Sequence, residues 1–518
     1  MTTISRPAIR RLWHPLTAIL AVQTSLSLAL IWSNTAYIDE ADYLWVGHLA
    51  LGGWLHGTPW PASLTRTMLS GSPVIYPPIG ALADDVAGLA GARILSMLFM
   101  LAATVLLYSA ASKIIGRDGA VIAAALWAVS EPALRLAYAT FDPLSVLMTT
   151  ICAWLIVQAA HRRRRIMLAA LSVVALALAN ATAYSGIVID PIVVAFAFLV
   201  WWPAMGARRA LAYSTAFAAS LAGGFALVMV VTGSWGGTTA VFNRQTHDHE
   251  SLTLVLNEIW GYSGLIVALA LLGAIIAARL ETRQQVLLLA LLGCAVFVAP
   301  AAQFHYGTAW SADKHVAYGF WFASMAAGYA CAKLISWPAS ARRRLVAAGC
   351  AIALVYPAVY GFQEAWQRYH LWQNSAAFIG ALRPILAKAP STGPRDYIYV
   401  PGHETNIAEY YLPQGRDWKR WRSYDANNGD SYSVIALFYN TSFTSGNGLS
   451  AKSLARGTIT RRDLLNLVGE NSNEAGVPVL TRVLENSRHY QLEAWGPYNI
   501  NNINGTHSYG IFAIWMRV

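Results

Sequence analysis

The sequence is short of charge. Asp, Glu, Lys and Arg make up 12% of its 518 residues, where an ordinary soluble domain carries about 25%. With a mean hydropathy of +0.42, that deficit excludes a cytosolic enzyme and a disordered chain. Lysine is scarcer than arginine, with six Lys among 37 basic residues. There are four cysteines, Cys152, Cys294, Cys331 and Cys350, and each lies in an apolar run. None falls in the polar C-terminal part, so there is no disulfide framework and no CxxC metal site. The formal net charge of +11 would suit a polyanion partner, but its distribution speaks for topology instead.

Long apolar runs are what the sequence has in abundance. Stretches of about 18 or more apolar residues read as membrane helices. They fall near 12–33, 91–111, 119–138, 143–160, 166–184, 188–203, 210–232, 260–278, 285–303, 316–335 and 345–361, about eleven spans. The first follows Arg6, Arg10 and Arg11 and is too long for a signal-peptide core, so it reads as a retained anchor. Residues 362–518 lose these runs and become rich in Asn, Gly, Trp and Tyr. The expected organisation is a membrane domain over 1–361 and a soluble α/β domain over 362–518.

With the N-terminus in the cytoplasm, seventeen basic residues of the membrane half fall on the cytoplasmic side and five on the other. Arg162 to Arg165 are part of that excess and read as an orientation signal rather than a nucleic-acid site. An odd number of spans then puts the C-terminal domain outside a plasma membrane.

Polar residues gather in the outward loops. Asp39, Glu40 and Asp42 stand just past the first span, at the root of a helix expected over 41–55 and lying at the interface. Acids at a helix start are also favoured by the helix dipole alone. Tyr76-Pro77-Pro78 makes a rigid entry to the next segment, and Arg93 opens the second span, where an Arg can snorkel or hold a phosphate. Asp142 precedes Pro143 in an ordinary helix-start arrangement. His305, Lys314 and His315 flank the tenth span, an expensive place for charge without a reason. His247-Asp248-His249-Glu250 could take a metal only weakly by its spacing. The C-terminal part is expected to hold strands near 397–400, 433–438, 490–494 and 510–516, with helices near 363–388, 404–411 and 461–470. Trp366, Trp372, Trp418, Trp421 and Trp495 there suit either sugar rings or a core.

The order of Ile38-Asp39-Glu40-Ala41-Asp42-Tyr43, Tyr76-Pro77-Pro78-Ile79, Gly91-Ala92-Arg93-Ile94-Leu95-Ser96 and Asp142 resembles the GT-C superfamily of integral membrane glycosyltransferases. The nearest branch is similar to the protein O-mannosyltransferase and aminoarabinose lipid A transferase group, and the tail (HETNIAEYYLP, THSYGIFAIWMRV) is similar to those of bacterial, especially actinobacterial, members. The resemblance implies an enzyme that moves a sugar, with inversion, from a polyprenyl-phosphate carrier to a glycan, lipid or protein acceptor of the cell envelope. It places the general base, or the group that orients the acceptor, on Asp39 with Glu40 beside it. Relatives often carry Lys before the Pro-Pro pair, where this chain has Tyr76. The cation facing the donor phosphate is therefore expected at Arg93, Lys314 or His315, with Asp42, Tyr76, Asp142 and His305 as substrate contacts.

The chemistry needs these groups. An attacking hydroxyl must lose its proton, and a positioned carboxylate contributes about 10²–10⁴-fold by taking it. The leaving phosphate gains charge that cations stabilise. A single inverting displacement needs no second carboxylate as nucleophile. A divalent cation is compatible with this reading, with no ligand set assigned. Two other classes fit the same composition. One is a lipid-linked sugar transporter or flippase, which favours ionisable residues inside spans and repeated halves. The other is a non-catalytic protein that binds cell-wall glycan through its tail.

Overall fold

The computed structural model describes residues 6–61, 69–162, 164–242, 251–306, 312–336, 340–370, 372–389, 396–401, 403–413, 417–422, 432–441, 484, 487–501 and 507–518. The chain packs as two compact units, Met1–Ile31 with Pro61–Trp366, and Trp32–Trp60 with Gln367–Val518. The second unit therefore includes a segment from the region between the first two apolar runs, in addition to the polar C-terminal part.

The first unit is helical. Its helices are α1 (Arg6–Ile31), α3 (Tyr76–Ile114), α4 (Arg117–Ala128), α5 (Glu131–Arg135), α6 (Phe141–His161), α7 (Arg165–Thr182), α8 (Asp190–Met205), α9 (Ala207–Thr232), α10 (Trp235–Phe242), α11 (Leu252–Leu280), α12 (Arg283–Cys294), α13 (Val298–Tyr306), α14 (Ala312–Ser336) and α15 (Ser340–Tyr369), the last running past the unit's end at Trp366. Helix α2 (Ile38–His56) belongs to the other unit. Among the described residues seven helices are long and apolar enough to cross a membrane: Tyr76–Ile114, Phe141–His161, Arg165–Thr182, Tyr184–Met205, Ala207–Thr232, Ser263–Leu280 and Arg283–Phe304. A shorter apolar stretch covers Pro15–Ile31, and the runs at 316–335 and 345–361 lie inside α14 and α15. The chain is a multi-pass helical membrane protein.

The run at 119–138, expected as one span, breaks. Helix α4 stops at Ala128 after twelve residues. Pro132 lacks the N–H that a continuing helix needs, and Ser130 Oγ donates instead to the Trp127 carbonyl at 2.7 Å. Helix α3 is bent at Ala87 and Gly88, where Gly88 has φ +62°. The Pro-Pro motif therefore starts a separate helical segment ahead of the span, with Pro77 and Pro78 in the first turn, where the missing N–H costs nothing.

Small residues let the helices approach closely. A Cβ on Gly328 of α14 would stand 2.4 Å from the Gly119 carbonyl oxygen of α4, and one on Gly319 only 2.1 Å from that of Ala295. Such contacts substitute for a hydrophobic force that lipid cannot supply between helices. The core along α14 is aromatic, with Phe320, Trp321 and Phe322 fully buried. The Trp321 indole N–H donates to the Ala103 carbonyl at 3.0 Å, which satisfies its polar atom in a dry setting.

The second unit is α/β. Its elements are α2, α16 (Ala376–Lys388), β1 (Tyr397–Tyr399), α17 (His403–Tyr411), β2 (Tyr432–Thr441), β3 (Tyr490–Asn501) and β4 (His507–Arg517). The sheet order is β1-β2-β4-β3, with β1 parallel to β2 and the other pairs antiparallel. All four expected strands and the helix near 404–411 are present. The single helix expected over 363–388 is two, because α15 ends at Tyr369 and α16 begins at Ala376. The helix expected at 461–470 lies outside the described residues. Phe378 of α16 packs on Phe438 and Phe512 of the sheet, with ring centroids 4.7 and 5.6 Å apart.

Candidate functional site

In the helical unit, polar side chains meet where α6 begins. Asp142 is 4% exposed, and its Oδ2 lies 3.6 Å from the Lys314 ammonium at the start of α14. Thr140 Oγ1 donates to the same oxygen at 3.3 Å. Burying a carboxylate is costly unless it is paired and hydrogen-bonded, and Lys314 and Thr140 supply those partners. The next residue, His315, turns to another partner, with its Nδ1 3.0 Å from Gln303 Nε2. His305, in the last turn of α13, has its side chain outside the described residues.

Two more expected residues lie in the same unit. Tyr76 is fully buried and meets the Phe141 ring edge-on at 5.9 Å, so it stands next to the residue preceding Asp142. Arg93 is also fully buried and its Nη1 donates to the Ile31 carbonyl at 2.7 Å. The last carbonyls of a helix lack intrahelical donors, and a cation there also complements the dipole. Arg93 thus fastens the end of α1 to α3.

The acids of the first loop belong to the other unit. The chain enters α2 through a polar knot. Asn34 Nδ2 donates to the carbonyls of Tyr369 and Trp372, both at 3.1 Å. The Trp372 indole donates to the Thr35 carbonyl at 3.0 Å, and the Ala36 N–H donates to Tyr411 Oη at 2.7 Å. Glu40 is fully buried and its Oε2 accepts the Tyr37 N–H at 2.9 Å, the reciprocal half of a helix-start cap. Asp39 precedes it and is half-buried.

Asp42 faces α17, where Asn406 Nδ2 donates to its Oδ1. Burial pushes its carboxyl up to about 7, against the Asn406 hydrogen bond and with help from the Asp39 charge. Glu409 is pushed up to about 8, by burial first and then by Asp42. Two carboxyls that repel in a half-buried contact hold fewer than two charges near neutrality.

Residue spacing carried part of this arrangement. Asp39 and Asp42 are three apart on α2, and Asn406 and Glu409 are three apart on α17, so each pair shares one helix face. Sequence reasoning singled out the first pair and missed the second. It also missed Thr140 and Gln303, which carry no pattern of their own.

Among the described residues no three His, Cys, Asp or Glu side chains come together as a metal site. His247 to Glu250 lie outside the described residues. Of the tryptophans considered for sugar rings, Trp421 is buried at 6% exposure beside β1, Trp372 serves the knot at Thr35 and Trp495 packs against the sheet core. Trp366 is 44% exposed, and the Trp418 side chain is outside the described residues.

Solved structures with the same architecture span the whole chain. ArnT from Cupriavidus metallidurans bound to undecaprenyl phosphate matches over 97% of this chain and 98% of its own, at 14% identity and a TM-score of 0.56. Its apo state matches over 96% and 97%, at 12% identity and a TM-score of 0.57. This chain has the GT-C fold. The GT-C match extends to the Archaeoglobus fulgidus oligosaccharyltransferase tethered with an acceptor peptide, over 95% of this chain and 74% of that one, at 12% identity and a TM-score of 0.51. No protein-family model and no curated protein sequence matches the chain. At these identities the likeness is one of fold, and this chain carries its own set of polar residues on it.

Proposed function

We propose that the protein is a glycosyltransferase of the plasma membrane. It moves a sugar from a polyprenyl-phosphate carrier to a cell-envelope acceptor on the outer face, inverting the anomeric centre. The observation that supports this most is the end-to-end match to ArnT, a structure bound to undecaprenyl phosphate. The chain's own residues support it in detail. Glu40 is engaged in holding the start of α2. Among the first-loop acids, the resemblance of the Ile38–Tyr43 motif points to Asp39 to accept a proton from the incoming hydroxyl.

In this reading Lys314 and His315 face the departing phosphate. Lys314 is held by Asp142, which fixes the ammonium in place. It would give that phosphate a preorganised cation, with little reorganisation during the reaction. Arg93 contributes from further back, by fixing α1 to α3. The N-terminus is on the cytoplasmic side and the C-terminal unit outside.

The test is transfer by the purified full chain from synthetic polyprenyl-phosphate sugars, with and without chelator. Wild type is expected to transfer at least one sugar, and Asp39→Asn to lose about 10²-fold or more with an unchanged unfolding temperature. Full activity in Asp39→Asn would sink the role of Asp39. No transfer from any donor, with the lipid bound but translocated, would favour a flippase instead.

A further inference from the structure

Helices α7, α8 and α9 enclose a groove of about 770 Å³. Its long walls are apolar. On α8 the lining residues include Pro191, Val194 and Phe198, and on α9 Leu211, Leu221 and Phe225. From Leu211 to Phe225 a helix rises roughly 20 Å, about two thirds of a bilayer's hydrocarbon core.

One end of the groove is different. Asn180, near the end of α7, is 1% exposed, and its Nδ2 donates to Asp190 Oδ2 at 2.7 Å. That single bond leaves two oxygens over. Asn180 Oδ1 and Asp190 Oδ1 are both buried and accept no hydrogen bond, and both residues line the groove. Buried acceptors left without a partner carry their full desolvation penalty. Ionisable groups at membrane depth are kept where they bind something. Ser214 also lines the groove, but its hydroxyl donates to the Leu211 carbonyl at 3.0 Å.

We propose that this groove holds the aliphatic chain of a hydroxyl-bearing lipid, whose hydroxyls donate to Asn180 Oδ1 and Asp190 Oδ1. The apolar length with one polar end is the pattern of an amphiphile. The chemistry of the polar end selects the headgroup. A carboxylate beside an amide oxygen repels a bare phosphate and accepts from hydroxyls, so this site is distinct from any that takes a polyprenyl phosphate. The inference stands whether or not the chain transfers sugar.

The experiment is native mass spectrometry of the delipidated full chain with three probes: 1-monoolein, methyl oleate and undecaprenyl phosphate. Monoolein and methyl oleate share the oleoyl chain, and only monoolein has hydroxyls. Wild type is expected to retain one monoolein at least tenfold more tightly than methyl oleate. Ala218→Trp, which fills the groove, should lose it. Asn180→Leu should bring the two probes to within about threefold. Where Ala218→Trp fails to purify as a monodisperse protein, Ala195→Leu fills the same space from α8 with a smaller change. Equal retention of monoolein and methyl oleate by wild type overturns the proposal. Retention unaffected by either filling variant also overturns it, as does displacement of monoolein by undecaprenyl phosphate. A dimer that dissociates on filling the groove would assign it to a second copy and overturn it too.

Discussion

Asp142 and Lys314 are far apart in sequence, yet their charged atoms lie 3.6 Å apart, with side chains 6% and 15% exposed. They join the starts of α6 and α14, so the pair acts on packing and on local charge together. Replacing one member strands the other in a dry place, at a cost of about 3–5 kcal/mol. Lys314→Met and Asp142→Leu are each expected to lower the unfolding temperature, and the two together to recover part of it. Transfer should stay lost in the double variant. Additive losses in stability would show that the two side chains are not coupled.

The neighbouring first-loop acids are expected to separate by role. Glu40→Ala removes the acceptor for the Tyr37 N–H and should lower stability by about 1 kcal/mol, with a modest effect on rate. Asp39→Asn should reverse that balance. Measuring kcat and unfolding temperature on both variants distinguishes the assignments.

The Asp42–Glu409 contact makes the second unit sensitive to pH. Their carboxyls titrate near 4 in an unfolded chain and at about 7 and about 8 when folded. The folded state therefore binds the extra protons, and its stability falls as pH rises between those values. The unfolding temperature should be higher at pH 5.5 than at pH 8.5. Asp42→Asn with Glu409→Gln should flatten the dependence. An unchanged slope in that double variant would assign it to other groups.

Close helix packing yields a fourth expectation. The Cβ introduced by Gly328→Ala would stand 2.4 Å from the Gly119 carbonyl oxygen and 2.8 Å from the Ala123 N–H nitrogen. Both are backbone atoms that cannot rotate away. The substitution is expected to cost about 1–3 kcal/mol, read as a lower unfolding temperature in detergent, while Gly349→Ala, with open space around it, should be near neutral.

Much of this molecule was legible in its sequence, and the failures have physical causes. Length and hydropathy locate membrane helices because lipid leaves the backbone no other way to satisfy itself. They read one unbroken helix at 119–138, where apolar composition persists through Pro132 but the hydrogen-bond ladder does not. All four strands were found because alternating aromatic and β-branched residues mark a half-buried sheet. Asp39, Asp42, Asp142 and Lys314 stood out because charge is scarce. Their partners Asn406 and Thr140 did not, since a neutral polar residue signals nothing until tertiary structure brings it to a charge. The cap role of Glu40 followed an ordinary rule of helix starts.

The placement of Trp32–Trp60 with Gln367–Val518 sets an order of events during synthesis. Domains generally fold as units while the chain is being made, but here α2 is made long before α17 and the sheet. The polar head closes only when its last strand, β4, leaves the ribosome. A chain cut short after α15 keeps the described membrane helices, while the start of α2 lacks Tyr411 and Asn406, which meet the Ala36 N–H and Asp42 in the finished protein, and stands open to chaperones and proteases.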